Sequence, residues 1–136
     1  MKTQPTLDWS ETDIQKAVAA FFYELEGKLK SFTFFAVAGG SVRVKPHIGA
    51  KLKKTGVRAG VHDLIFLGNK GKAIFIELKV RPNTLTEAQK QFHAAVSKLG
   101  FGSFCIFVKD GTDAINQIIK ILQAHKILQE PVCNGL

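Results

Sequence analysis

Residues 60–80 read GVHDLIFLGNKGKAIFIELKV, and the fold turns on this stretch. Two apolar runs, 64–67 and 73–80, flank the turn-forming tetrapeptide Gly68-Asn69-Lys70-Gly71, which predicts a β-hairpin. If the turn centres on Lys70, Ile65 faces Phe75 and Asp63 faces Glu77. Opposed residues share one face of the ribbon with Cβ atoms roughly 4.5–5.5 Å apart. Lys79 follows Glu77 by two positions and joins that face, while Ile74, Ile76, Leu78 and Val80 alternate to the other side. Two carboxylates so placed repel one another unless a cation lies between them. A hard divalent ion, bound about 2.0–2.1 Å from each oxygen, fits the gap. The same three side chains also allow a plainer arrangement, an ion pair of Lys79 with Glu77 or Asp63 at the open end of the hairpin.

Outward from the hairpin the elements are legible by periodicity. Ser10, with Asp13 three residues on, starts a helix to about Gly27 whose inner face is Ile14, Val18, Phe21, Phe22 and Leu25. At about 100° per residue, Glu11 lies roughly 40° from the centre of that stripe and Asp13 roughly 120°, so Glu11 is the acid expected to look toward the sheet. As an acid in the first helical turn, Glu11 also has a purely dipolar role open to it. Residues 32–38 predict a strand ending at Gly39-Gly40, with 42–46 extending or re-pairing it, and 47–55 a short basic helix closed by Gly56. Thr86 and Gln89 form a capping box for a helix with the stripe Ala88, Phe92, Ala95, Val96 and Leu99, stopped at Gly100. Residues 103–108 predict a fourth strand. Asp110 or Thr112 then opens a last helix, about 111–127, with Ile115, Ile118, Ile119 and Leu122 inward. The order α-β-β-β-α-β-α is that of an α/β protein with a mixed sheet flanked by helices. All 136 residues are expected to form a single domain with its core at about 10–108.

The charge is localised. Ten basic residues lie between Arg43 and Arg81 against two acids, Asp63 and Glu77, while the nine bases and nine acids elsewhere cancel. The whole excess of +8 therefore falls in one central segment, as expected of a surface that meets phosphates. A solvated lysine-rich face has the same composition; the two acids on adjacent strands within the segment favour the functional reading. No apolar run approaches a membrane span, and residues 1–10 are too polar for a signal peptide. Cys105 and Cys133 lack metal-ligand spacing and are expected to be free thiols in a cytoplasmic protein. Gly68-Asn69-Lys70-Gly71-Lys72 is not a phosphate-binding P-loop. Phe21, Phe22, Phe34, Phe35 and Phe92 read as core, and His47, His93 and His125 have no partners at ligand spacing. Trp9 fits either a staple at the helix start or an interface contact.

Gly60-Val61-His62-Asp63, followed after a hairpin by Ile76-Glu77-Leu78-Lys79, resembles the signature of the PD-(D/E)XK nucleases. Residues 56–64, 75–79 and 85–92, together with the opening 10–15, are similar to the VRR-NUC branch of that superfamily, over about residues 10–108. The resemblance implies a restriction-endonuclease-like αβββαβ core and a DNA nuclease dependent on Mg²⁺ or Mn²⁺. It implies that Asp63, Glu77 and the main-chain carbonyl of Leu78 bind the metal, with Glu11 a further ligand, directly or through water. Lys79 would orient or activate the attacking water, and Gln89 would support the site from its helix. The family usually carries proline before the metal-binding aspartate, where this chain has His62. By strand alternation His62 is expected opposite to Asp63, in a structural or DNA-facing role.

Phosphodiester hydrolysis is the function this implies, with Arg43, Lys45, Lys51, Lys53, Lys54, Arg58 and Arg81 gripping the flanking backbone. Stand-alone domains of the resembled kind act as homodimers on branched DNA, which makes a Holliday-junction-type endonuclease the expected activity, ahead of an exonuclease. Two alternatives stay open: a non-catalytic nucleic-acid-binding module on the same scaffold, and a sequence-specific restriction-like nuclease.

Overall fold

A computed structural model describes residues 8–37 and 46–129. In chain order the elements are α1 (Glu11–Leu29), β1 (Phe32–Ala36), α2 (Pro46–Lys54), β2 (Leu64–Gly68), β3 (Lys72–Lys79), α3 (Glu87–Lys98), β4 (Gly102–Phe107) and α4 (Gly111–Ala124). The four strands form one sheet in the order β1-β2-β3-β4. The first two pairings are antiparallel and β3 pairs with β4 in parallel, with α3 as the crossover. This is the mixed sheet with flanking helices that the element order predicted.

The hairpin register is the one read from the sequence. Leu64 pairs with Ile76 and Ile65 with Phe75, around a 3-10 turn at Asn69–Gly71 in which Lys70 adopts the left-handed conformation. Alternation then sends Ile74, Ile76 and Leu78 to one face, where they meet Leu64 and Phe66 of β2 and Ile14, Val18 and Phe22 of α1. Ala114, Ile118 and Leu122 of α4 complete this core. Phe22 is its hub, set edge-on to Phe32, Phe34 and Phe66 with ring centroids 5.0–6.3 Å away. Gly111 lets α4 approach α1, since a Cβ there would fall 2.8 Å from that of Ala17 and 3.5 Å from the Trp9 ring. Trp9 thus packs at the α1–α4 contact.

The caps follow the sequence: Ser10 Oγ accepts from Asp13 N–H, Asp110 caps α4, and Thr86 with Gln89 forms a complete capping box. Several expectations change. The first strand stops at Ala36, and α2 already begins at Pro46, so 46 is not strand; the rest of the expected extension at 42–46 lies outside the described residues. The stripe assigned to α3 is buried only at Val96 and, in part, at Phe92. Ala88 and Ala95 are exposed and Leu99 is 75% exposed, while His93 and Val96 turn inward. The helix meets the sheet with a partly polar face because the sheet surface beneath it carries charged residues. Phe35 is also no core residue: β1 points Phe32 and Phe34 inward and leaves Phe35 46% exposed. No helix among the described residues is long and apolar enough to cross a membrane.

Candidate active site

The face of β3 turned toward α3 carries Phe75, Glu77 and Lys79. β4 contributes Cys105, the register partner of Glu77, and Phe107, the partner of Lys79. Asp63 sits just before β2. Its carbonyl accepts from Val37 N–H at 2.9 Å, and its Oδ2 accepts from Leu78 N–H at 2.8 Å. The first bond prolongs the β1–β2 pairing by one step, and the second ties the Asp63 carboxyl to the β3 backbone beside Glu77, within hydrogen-bonding reach of it. In a strand the N–H and C=O of one residue leave on the same edge, so the Leu78 carbonyl also faces the Asp63 side.

The electrostatics are those of two acids forced together. Glu77 is 2% exposed. Burial, its hydrogen bond with Asp63 and the Asp63 charge push its pKa up to about 9, and Glu11 adds to this, while the Lys79 ammonium pulls the other way. At neutral pH the carboxyl pair thus holds a proton. Lys79 is 8% exposed, yet among the described residues it forms no ion pair within 4 Å. The simple salt bridge considered from the sequence is therefore not formed. The Cys105 thiol is held above its usual range by burial and then by the negative charge of Glu77.

Glu11 does look toward the sheet, as its helical angle predicted. Its Oε1 accepts from Val80 N–H at 3.2 Å and from Asn83 Nδ2 at 3.1 Å, so it clasps the end of β3 to α1. Asp13 stays exposed beside Ser10. Gln89 spends its Oε1 on Thr86 N–H at 2.9 Å, fixing the first turn of α3. Gly60 lies directly against that turn: its φ is +87°, and a Cβ would fall 2.8 Å from Gln89 N and closer still to the Ala88 carbonyl.

The sequence missed a histidine pair. His93 Nε2 lies 3.4 Å from Glu77 Oε1. The His62 ring stacks on His93 with centroids 3.6 Å apart and 16° between planes, and His62 Nε2 shares a 2.7 Å hydrogen bond with Ser103 Oγ. Burial and then the neighbouring His93 lower the pKa of His62 to about 3, and burial lowers that of His93 too, so both imidazoles are neutral at neutral pH. The expectation that His62 faces away from Asp63 fails, because β2 begins only at Leu64 and strict alternation does not reach back to 62. His62 is fully buried, which also removes the DNA-facing alternative.

Of the residues expected to contact DNA, Arg58 and Arg81 flank this face. The Arg58 guanidinium lies 5.0 Å from the centroid of the Phe92 ring, next to His93, and that of Arg81 lies 4.0 Å from the centroid of the Phe107 ring. Lys51, Lys53 and Lys54 are exposed along α2. Arg43 and Lys45 lie outside the described residues. Lys70 and Lys72, part of the same basic segment, sit at the other end of the hairpin, roughly 20 Å along the strand from Lys79.

Among the described residues no three His, Cys, Asp or Glu side chains already converge at metal-ligand positions. Glu11 and one Asp63 oxygen are engaged with backbone N–H groups instead. The donor chemistry nevertheless fits a divalent cation: two facing carboxyl groups, one kept protonated by the other, with Glu77 Oε1 buried and lacking any hydrogen-bond partner.

No protein-family model matches the chain, and no curated protein matches it. Among solved structures, one described as a VRR_NUC domain protein superposes with a TM-score of 0.59 at 21% identity, over 86% of this chain and 91% of that one. A second, described as a VRR_NUC domain, gives 0.51 at 17% identity, over 81% and 94%. The chain therefore has the fold of these VRR_NUC domains, a restriction-endonuclease-like architecture.

Proposed function

We propose that the chain is a divalent-metal-dependent DNA endonuclease that acts on branched DNA, such as a Holliday junction, as a homodimer. The observation that carries this reading is the pair Asp63 and Glu77, set face to face beside a buried Lys79 that no acid among the described residues neutralises within 4 Å. Asp63 and Glu77 hold the cation with the Leu78 carbonyl, and Glu11 joins them directly or through water. A bound Mg²⁺ or Mn²⁺ supplies Lewis acidity toward the scissile phosphate and lowers the pKa of a water. Lys79 orients that water and offsets the negative charge that grows on the phosphate oxygens. Gln89 acts at one remove, anchoring the α3 turn against which Gly60 rests and so fixing the approach to Asp63. Arg58 and Arg81 grip the DNA backbone on either side, with Lys51, Lys53, Lys54, Arg43 and Lys45 extending the basic surface.

Symmetric incision of a four-way junction needs two sites related by a two-fold axis, which a homodimer provides. Of the aromatic residues at 32–35, Phe32 and Phe34 are buried within the monomer, so only the exposed Phe35 is available to such an interface. The test is a Mg²⁺ and Mn²⁺ titration with an end-labelled four-way junction, a flap and a linear duplex. Metal-dependent cleavage that prefers the junction supports the reading. Binding without cleavage in either metal makes the chain a nucleic-acid-binding module, and cleavage confined to one duplex sequence makes it restriction-like.

A further inference from the structure

We propose that His93 is a nitrogen ligand in the same cation site and tilts that site toward Mn²⁺ over Mg²⁺. The inference rests on the reading that Asp63 and Glu77 hold a cation. Two buried polar atoms face one another, His93 Nε2 and Glu77 Oε1, and neither has a hydrogen-bond partner among the described residues. Buried polar groups without partners are rare, and two of them 3.4 Å apart call for one occupant that satisfies both. Neighbouring ligands of an octahedral ion bound at about 2.1 Å stand about 3.0 Å apart, close to the separation already present. The donor set also matches, since a neutral imidazole is a metal ligand and a carboxylate supplies the anionic oxygen.

The imidazole is held in place for this role. Its ring lies flat on that of His62, which Ser103 pins in turn, so a buried stack fixes the direction of Nε2. A metal-bound histidine is usually oriented by a hydrogen bond from its other ring nitrogen; here the buried ring stack restrains the imidazole instead. The consequence for selectivity follows from ligand type: oxygen-only sites suit Mg²⁺, and an imidazole nitrogen raises affinity for first-row transition ions relative to it.

The test is pulsed electron paramagnetic resonance of Mn²⁺ bound to the full chain, read for nitrogen hyperfine coupling. The expected result is a ¹⁴N coupling that changes to the ¹⁵N pattern in wild-type protein labelled with [¹⁵N]histidine, vanishes in His93→Gln and persists in His62→Phe. Loss of supporting partners alone weakens metal binding by about 10–100-fold, so His93→Gln should raise the Mn²⁺ dissociation constant by at least about tenfold. The Mg²⁺ constant, measured by competition, should change less. Mn²⁺ that binds and is lost in Glu77→Gln, yet shows no histidine nitrogen in the wild type, overturns the assignment of His93 and leaves the carboxylate site standing. Absence of Mn²⁺ binding, or binding indifferent to Glu77→Gln, overturns both. If His93→Gln does not fold, a histidine coupling in the labelled wild type that persists in His47→Phe, His62→Phe and His125→Phe assigns the ligand to His93, and its loss in any of the three overturns that assignment.

Discussion

The two faces of β3 are buried to a similar degree and differ in everything else. Ile74, Ile76 and Leu78 meet α1 and α4 in an apolar layer, while Glu77 and Lys79, one residue out of phase, meet α3. Of the four buried side-chain atoms without a hydrogen-bond partner among the described residues, three lie on the α3 face: Glu77 Oε1, His62 Nδ1 and His93 Nε2. Each such atom costs about 1–3 kcal/mol of desolvation. The apolar face stabilises the fold; the other face carries an unfavourable arrangement that the proposed cation would relieve. Burial alone therefore does not locate function in this molecule. Unmet bonding capacity is what marks the proposed site.

That contrast can be broken from either side. On the apolar face, Phe22→Ala should cost about 3–5 kcal/mol in denaturant unfolding, because it opens a cavity under Phe32, Phe34 and Phe66. A loss below about 1 kcal/mol, the scale of a surface substitution, would show that the aromatic cluster does not hold the sheet to α1. On the site face, Glu77→Gln should behave oppositely. A glutamate whose folded pKa is raised to about 9 from an ordinary 4.5 stabilises the fold below 4.5, and that stability is lost as pH rises toward 9. The neutral glutamine escapes the loss. With chelator at pH 9 the variant should thus unfold at higher denaturant than the wild type, and lower stability there would contradict the stated electrostatics.

Gly60→Ala tests how α3 is set against the approach to Asp63. Alanine at positive φ is destabilising by more than about 1 kcal/mol where the native conformation is incompatible with it, and here the methyl also meets the Ala88 carbonyl. Activity should fall along with stability; a variant as stable as the wild type would show that the close approach is dispensable. The smallest effect concerns acid. An unfolded histidine titrates near the ordinary 6.5, whereas folded His62 is held to about 3, so the unfolded state takes up the proton first. The stability His62 contributes is complete above 6.5 and drains away as pH falls toward 3. His62→Phe should flatten the acid side of a stability–pH profile recorded with chelator, and an unchanged profile would dismiss His62 as its cause.

The sequence carried the hairpin register, because a short turn fixes pairing and the side-chain period of two then fixes the faces. It also separated Glu11 from Asp13 by helical angle alone. It did not carry the histidine pair. Reading α3 by its apolar stripe presumes that the sheet beneath is apolar, and here the helix turns His93 toward Glu77 and leaves Leu99 in solvent. The signal available was Glu77 itself: a charged strand face covered by a helix implies polar residues on that helix. His62 escaped because it lies two residues before the start of β2, where strand alternation no longer applies. The basic segment, continuous in sequence, is divided in space by the length of the hairpin, so Lys70 and Lys72 cannot serve the same stretch of backbone as Arg81.

The most direct test of the central claim is cleavage of an end-labelled four-way junction in Mg²⁺ and Mn²⁺ by wild type, Asp63→Asn, Glu77→Gln and Lys79→Ala, with DNA affinity measured in parallel. The account predicts metal-dependent cleavage by the wild type and none by either carboxylate variant. Their DNA binding should be unchanged or tighter, because each has lost a negative charge. Lys79→Ala should lose kcat while keeping affinity, as one cation among many contributes little to binding. Near-normal turnover by Asp63→Asn or Glu77→Gln with metal in excess would contradict the account.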